Sequence, residues 1–319
     1  MPTYVLTLLR RSWRMFITIA RIMLPVMVVV KVAQELGLVD LVGRLITPIM
    51  GLLNLPPEAG LIWATTVLTG MFGGIATLST LASSVDMTVG QVSALGAMML
   101  FAHSLPVEQA IVRRAGASFW LTAALRLGTA IFYGGAVAWA SHFTGALSQP
   151  VSFAWLSGSS FTHEAEGYLG WAESTAYSLG IVLLIIIVLV AVLDAFDRLG
   201  ITRRITAIIT PLLRLSGLNA EVAPVTTVGV LLGLSYGGAL IIEESEKKNF
   251  SPRTRFLALS WLCLSHSLIE DTLLIMALGA NVWVVLVGRV AITLAIISLL
   301  ARLTRRGSWS TTGIPTQQT

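Results

Sequence analysis

The chain has 319 residues, 55% of them apolar and 12% charged, with a mean hydropathy of +0.83. Charge at about half the ~25% of soluble domains excludes a soluble two-domain protein, which could not keep so much apolar surface out of water. The net charge of +5 sits in short basic clusters between apolar runs, a topology signal rather than a nucleic-acid surface, and the single cysteine, Cys263, excludes an intrachain disulfide and an all-cysteine metal cluster.

Arg10, Arg11 and Arg14 precede an apolar run from Phe16 to Val32, close to the ~20 residues that cross a bilayer. No small-residue cleavage site follows, so a retained first span is expected rather than a removed signal peptide. The first half reads as five segments at 15–35, 41–54, 60–84, 90–112 and 117–142. A polar stretch, 143–173, carries His163, Glu164, Glu166 and Glu173 and joins a second set at 176–196, 203–216, 222–243, 255–275 and 279–302. The short segments 41–54 and 203–216 are expected to be tilted, interfacial or half-membrane helices.

The two sets are one pattern written twice. At the offset that carries His103 to His266, 163 residues, Thr47-Pro48 falls on Thr210-Pro211, Gly70 on Gly233, and His103-Ser104-Leu105 on His266-Ser267-Leu268. Gly116-Ala117 falls on Gly279-Ala280, Trp120 on Trp283 and Arg126 on Arg289. Chance matches of leucine are cheap in an apolar chain; paired His, Pro, Trp and Arg are not. The expected organisation is a first repeat at 1–142, an extracytoplasmic linker at 143–173, a second repeat at 174–306 and a cytoplasmic tail at 307–319.

No Lys or Arg occurs between Leu127 and Asp197, while Arg113-Arg114, Arg203-Arg204, Lys247-Lys248 and Arg305-Arg306 cluster elsewhere. Five crossings per half place all these clusters on the cytoplasmic side, with both termini. An odd number of crossings inverts the second half, so the expected fold is an all-α integral membrane protein. It has two five-segment inverted-topology repeats and about ten transmembrane or half-membrane helices.

Inverted repeats place their sites near the midplane on interrupted helices. Gly70, Gly73 and Gly74, with Gly233, Gly237 and Gly238 as the second set, are the candidate helix-break or gate positions; close packing through small residues is the alternative. If each later pair of segments is a hairpin turning near Gly116 or Gly279, His103 and Arg126 lie at equal depth, as do His266 and Arg289. About eleven residues from the turn is roughly 17 Å, near the middle of the hydrocarbon.

Ionisable groups at that depth are costly and are functional candidates by default. His103, Ser104, Glu108, Gln109, His266, Ser267, Glu270 and Asp271 are the candidate solute-binding residues. Arg126 and Arg289 either meet solute charge or hold the hairpins together through Glu108 and Asp271. A nitrogen/oxygen cage for a divalent ion could be drawn from this set, but the spacing does not demand it, and no metal ligand is assigned.

The repeated Thr-Pro segment, Gly-x-x-Gly-Gly at 70–74 and His-Ser-Leu-Pro-Val-Glu-Gln-Ala-Ile at 103–111 resemble bacterial nucleoside-recognition, or Gate-domain, membrane proteins. That group covers the gate regions of concentrative nucleoside transporters, ferrous-iron permeases and spore maturation proteins. The resemblance extends over both halves and implies a pair of gate repeats forming a permeation unit. Ferrous-iron gates carry cysteine and are usually fused to a GTP-binding domain. Here there is no Gly-x-x-x-x-Gly-Lys-Ser/Thr loop, and Cys263 has Leu100 as its counterpart, so iron transport by that design is not expected.

The expected function is therefore a secondary transporter in the bacterial inner membrane, working by alternating access on a small polar solute, with nucleoside-like solutes as candidates. It is expected to be gradient-driven, with protons as a candidate coupling ion carried by His103, His266 and the carboxylates. No enzymatic activity, cofactor or nucleic-acid partner is expected; the lipid bilayer is, and a homo-oligomer is allowed for. Alternatives are a non-transporting partner of the spore-maturation type, a divalent-metal permease, or an intramembrane enzyme acting on lipid headgroups.

Overall fold

A computed structural model describes residues 2–82, 85–153, 250–268 and 270–304, with scattered positions between 168 and 243. The expected segments at 176–196, 203–216 and 222–243, most of the linker and the tail lie largely outside the described residues.

The described chain is almost wholly helical. Its first half runs through α1 (Pro2–Glu35), α2 (Leu38–Leu52), α3 (Glu58–Thr69), α4 (Met71–Leu81), α5 (Val89–Phe101), α6 (Leu105–Arg114) and α7 (Phe119–Thr144). The later part holds α8 (Pro252–Ser265), α9 (Glu270–Ala277), a π-helical turn (Trp283–Gly288) and α10 (Arg289–Leu303). Two-residue strands β1 (Met87–Thr88) and β2 (Pro150–Val151) pair antiparallel beside the start of α5.

Among the described residues, four helical stretches are long and apolar enough to cross a membrane: Val89–Arg114, Phe119–Thr144, Pro252–Ala277 and Trp283–Leu303. The remaining segments of the expected ten do not meet that length and apolarity or lie outside the described residues. The segment expected at 41–54 is α2, a 15-residue helix with Pro48 inside it. Trp120, Phe132, Phe143 and Trp283 are exposed on the bundle, where hydrocarbon rather than water would meet them.

Polar residues at the helix starts explain where these helices begin. Thr88 Oγ1 accepts from the backbone N–H of Gln91, whose side chain returns to the Thr88 N–H, a complete capping box at α5. Ser251, 163 positions on, caps α8 through the Thr254 N–H. Ser118 caps α7, and its counterpart Asn281 accepts from the Trp283 N–H. These four satisfy N–H groups that a membrane interior would otherwise leave unpaired.

The positive backbone angles recur at the same offset. Gly70 and Gly233 have φ of 111° and 109°, Ser104 and Ser267 of 45° and 47°, and Gly116 and Gly279 of 96° and 102°. The Asn281 N–H donates to Ser93 Oγ at 2.8 Å, tying the turn after α9 to the beginning of α5. Gly116, in the turn after α6, lies against Arg255 near the beginning of α8. The α5–α6 and α8–α9 stretches therefore pass one another in opposite directions.

Candidate functional site

The fourth segment of the sequence reading was a continuous arm of a hairpin; in the structure it is broken. α5 stops at Phe101, residues Ala102–Ser104 leave the helix, and α6 restarts at Leu105. Pro106 sits in the first turn of α6, where its missing N–H breaks no helical bond. Ser104 reverses the chain in the left-handed region. In the later part α8 stops at Ser265, and Ser267 takes the same conformation before α9 begins at Glu270.

A broken helix leaves carbonyls without partners, and in a membrane these are expensive. Two fully buried arginines meet them. Arg126 on α7 donates through Nε to Phe101 O (2.7 Å) and through Nη2 to His103 O (2.9 Å). Arg289 on α10 donates through Nε to Leu264 O (2.9 Å) and through Nη2 to His266 O (2.9 Å). The two sets are equivalent residue for residue. Arg289 Nη2 also reaches Leu100 O, 3.1 Å away on α5, so it stitches the two halves together.

The third segment breaks beside the fourth. Gly70 separates α3 from α4, and the Thr66 carbonyl accepts both the Gly70 N–H (2.9 Å) and the Ser104 N–H (3.1 Å). Gly73 and Gly74 lie within α4 against Thr69 and Thr66. Gly233 has its positive φ, while Gly237 and Gly238 lie outside the described residues. Gly70 combines φ 111° with ψ −178°, and a Cβ there would stand 2.6 Å from Ser104 Oγ. Gly70→Ala is therefore expected to destabilise the protein by about 1–3 kcal/mol, the cost of a backbone region essentially restricted to glycine. Gly128→Ala, within α7 and with open space around it, should leave the thermal unfolding midpoint in detergent unchanged or slightly raised.

At the two breaks the imidazoles meet. His103 Nε2 and His266 Nε2 are 2.9 Å apart, and both rings are almost fully buried. Glu108 Oε1 lies 3.3 Å from His103 Nε2 and 3.1 Å from His266 Nε2, while Glu108 Oε2 is paired with Arg126 Nη1. Asp271, the counterpart of Glu108, places Oδ2 3.5 Å from His103 Nε2. No ion pair joins Asp271 to Arg289, although the sequence reading offered it as the second hairpin clamp. Arg289 Nη1 and Asp271 Oδ2 are both buried without hydrogen-bond partners among the described residues.

The tautomers follow from the backbone. His103 Nδ1 contacts Met99 O at 2.9 Å and His266 Nδ1 contacts Leu262 O at 2.8 Å. A carbonyl can only accept, so each Nδ1 carries the hydrogen, and in the neutral ring Nε2 then presents a lone pair. Two lone pairs and a carboxylate oxygen thus converge on one buried point, an arrangement that suits a cation or a donor from a solute. Gln109 Oε1 accepts from Thr122 Oγ1, while Gln109 Nε2 and Thr272 Oγ1, at equivalent positions, are buried without a hydrogen-bond partner of ordinary geometry among the described residues. Ser104 and Ser267 are half-buried at the breaks. Glu270 is exposed and stands apart from the cluster.

Of the residues singled out in the sequence, His103, Glu108, His266 and Asp271 come together. The four N-caps were legible as Ser, Thr or Asn ahead of apolar runs. The contact of His103 with His266 had no sequence signal, because an offset marks equivalent residues and says nothing about whether they touch.

These features are those of a helical membrane protein with broken helices around a buried polar cluster. Residues 16–118 match the family described as Gate, nucleoside recognition, a stretch that includes His103 and Glu108. The chain is 29% identical over 253 residues, 76% of its length, to the uncharacterized membrane protein YvoD of Bacillus subtilis (strain 168), covering 76% of that protein. No solved structure matches it.

Proposed function

We propose that the chain is a permease, a secondary transporter that carries a small polar solute across the bacterial inner membrane without altering it chemically. The single observation that carries this reading is the meeting of two broken helices, one from each half, at a buried cluster of polar atoms with unused hydrogen-bonding capacity. Such breaks are tolerated at membrane depth where they line a site, and transporters use them to hold solute. The opposite directions of α5–α6 and α8–α9 support an inverted pair of repeats, with both termini on the cytoplasmic side. The sequence contains no phosphate-binding loop, so an ion gradient supplies the energy in this reading.

A ligand screen by thermal stabilisation tests it. Nucleosides, nucleobases, organic acids and amines are offered to the purified protein, and a solute bound only by the native state raises the unfolding midpoint by mass action. The expected result is one chemical class that both stabilises the protein and enters proteoliposomes down an imposed gradient. Well-folded protein that moves no class of solute would sink the permease reading.

A further inference from the structure

We infer that His103, His266, Glu108 and Asp271 form a binding site for a divalent transition-metal ion. The inference names a ligand for the site described above and rests on the permease reading only for the question of passage; binding is measured without transport.

Geometry is the first support. Metal ions of this class hold nitrogen and carboxylate oxygen at about 2.0–2.2 Å, so neighbouring ligand atoms stand about 2.8–3.1 Å apart at right angles and about 3.3–3.6 Å apart in a tetrahedron. The separations here are 2.9 Å between the two Nε2 atoms, 3.1 and 3.3 Å from these to Glu108 Oε1, and 3.5 Å from His103 Nε2 to Asp271 Oδ2. Each falls within that range; His103, His266 and Glu108 form the compact set, and Asp271 meets it at His103. The ligand-capable atoms of His103, Glu108 and His266 lie within 4.8 Å of one another, and all three residues are buried.

Orientation is the second. A metal-binding imidazole almost always donates its other ring N–H to a fixed acceptor, which sets the tautomer and aims the lone pair. Both rings do so here through the Met99 and Leu262 carbonyls. With both rings neutral, three lone-pair atoms face one another and repel; an ion at their focus turns that repulsion into coordination. Asp271 Oδ2 is a fourth candidate ligand atom, buried and without a hydrogen-bond partner among the described residues.

Charge and chemical softness fix the class. Glu108 and Asp271 supply two negative charges. The guanidinium groups of Arg126 and Arg289 are turned on the carbonyl ends of α5 and α8, each carrying roughly half a negative charge. Arg126 holds Glu108 by Oε2, leaving Oε1 for the ion. Two imidazoles with two carboxylates suit zinc, cobalt, manganese or ferrous ions. Calcium and magnesium demand oxygen shells, and cuprous ion prefers sulfur.

The test uses full-length protein in detergent, stripped with EDTA and then offered Zn²⁺ or Co²⁺ alone. The expected result is about one ion per chain by elemental analysis, with an X-ray absorption shell of nitrogen and oxygen that shows imidazole scattering. His266→Asn and Asp271→Asn should each weaken binding by at least about tenfold, the scale of loss for disturbed metal sites. His142→Ala, at an exposed position on α7, should leave binding unchanged. No retained ion, or a retained ion whose shell lacks imidazole, overturns the inference. The spectrum of the unaltered protein decides it even where a variant fails to fold. Zn²⁺ accumulating inside proteoliposomes would make the ion cargo, and an ion bound without passing would make it a resident part of the site. Binding in a protein that transports nothing would sink the permease reading alone, and transport of a solute by a protein that binds no metal would sink this inference alone.

Discussion

Arg126→Met is expected to lower stability by about 3–5 kcal/mol, the range for stripping one partner from a buried ion pair. The guanidinium is fully buried and serves three acceptors at once: Phe101 O, His103 O and Glu108 Oε2. Methionine fills a similar volume but leaves a carboxylate uncompensated and two helix-end carbonyls unpaired in an apolar setting. Arg126→Lys should recover little, because one ammonium cannot reproduce the planar fork that reaches all three. Adding Glu108→Gln to Arg126→Met removes the stranded charge and should restore about 0.5–3 kcal/mol, a coupling of the size seen between residues in contact. Unfolding of the four variants in mixed micelles measures the cycle. A double variant as unstable as Arg126→Met alone would assign the whole loss to the carbonyls.

Solute uptake into proteoliposomes should fall to about a fifth or less in either His103→Ala or His266→Ala, with the fold retained. Loss of one buried anchoring hydrogen bond costs about 1–3 kcal/mol, or roughly five- to 150-fold. The more telling expectation concerns the pair together. Both Nε2 atoms face one point, 2.9 Å apart, so each substitution dismantles the same site. The double variant should be scarcely worse than either single one, since residues acting as a unit are not additive. Independent losses that multiply would mean two separate sites, one per half, and would contradict the shared cluster. His142→Ala, exposed near the end of α7, is the control and should retain uptake.

The membrane class was legible in the apolar composition, and the equivalent positions in the rarity of the residues that recur. His, Pro, Trp and Arg recurring at one offset need no structure to be noticed, and the equal depth assigned to His103 and Arg126 agrees with the 2.9 Å bond from Arg126 Nη2 to the His103 carbonyl. The breaks at Ser104 and Ser267 were not legible. Serine rarely takes a positive φ, and Pro106 alone suggested a perturbed helix rather than an interrupted one. The missing Arg289–Asp271 pair has a physical reason. Arg289 Nη2 is shared between His266 O and Leu100 O, so part of its bonding capacity goes to the other half, and Asp271 faces His103 instead. Glu270 stands beside Asp271 in sequence as a candidate binding residue, yet the offset pairs Glu108 with Asp271, and Glu270 is exposed.

The close approach of the two imidazoles carries one more consequence. Each half of the chain owns one ring, so the cluster belongs to neither and exists only while α5 and α8 are seated together. Under the permease reading, a rocking of one half against the other would divide the occupant's hosts, sending His103 with Glu108 one way and His266 with Asp271 the other. Grip and closure would then be the same event, and letting go would require no trigger beyond the parting itself.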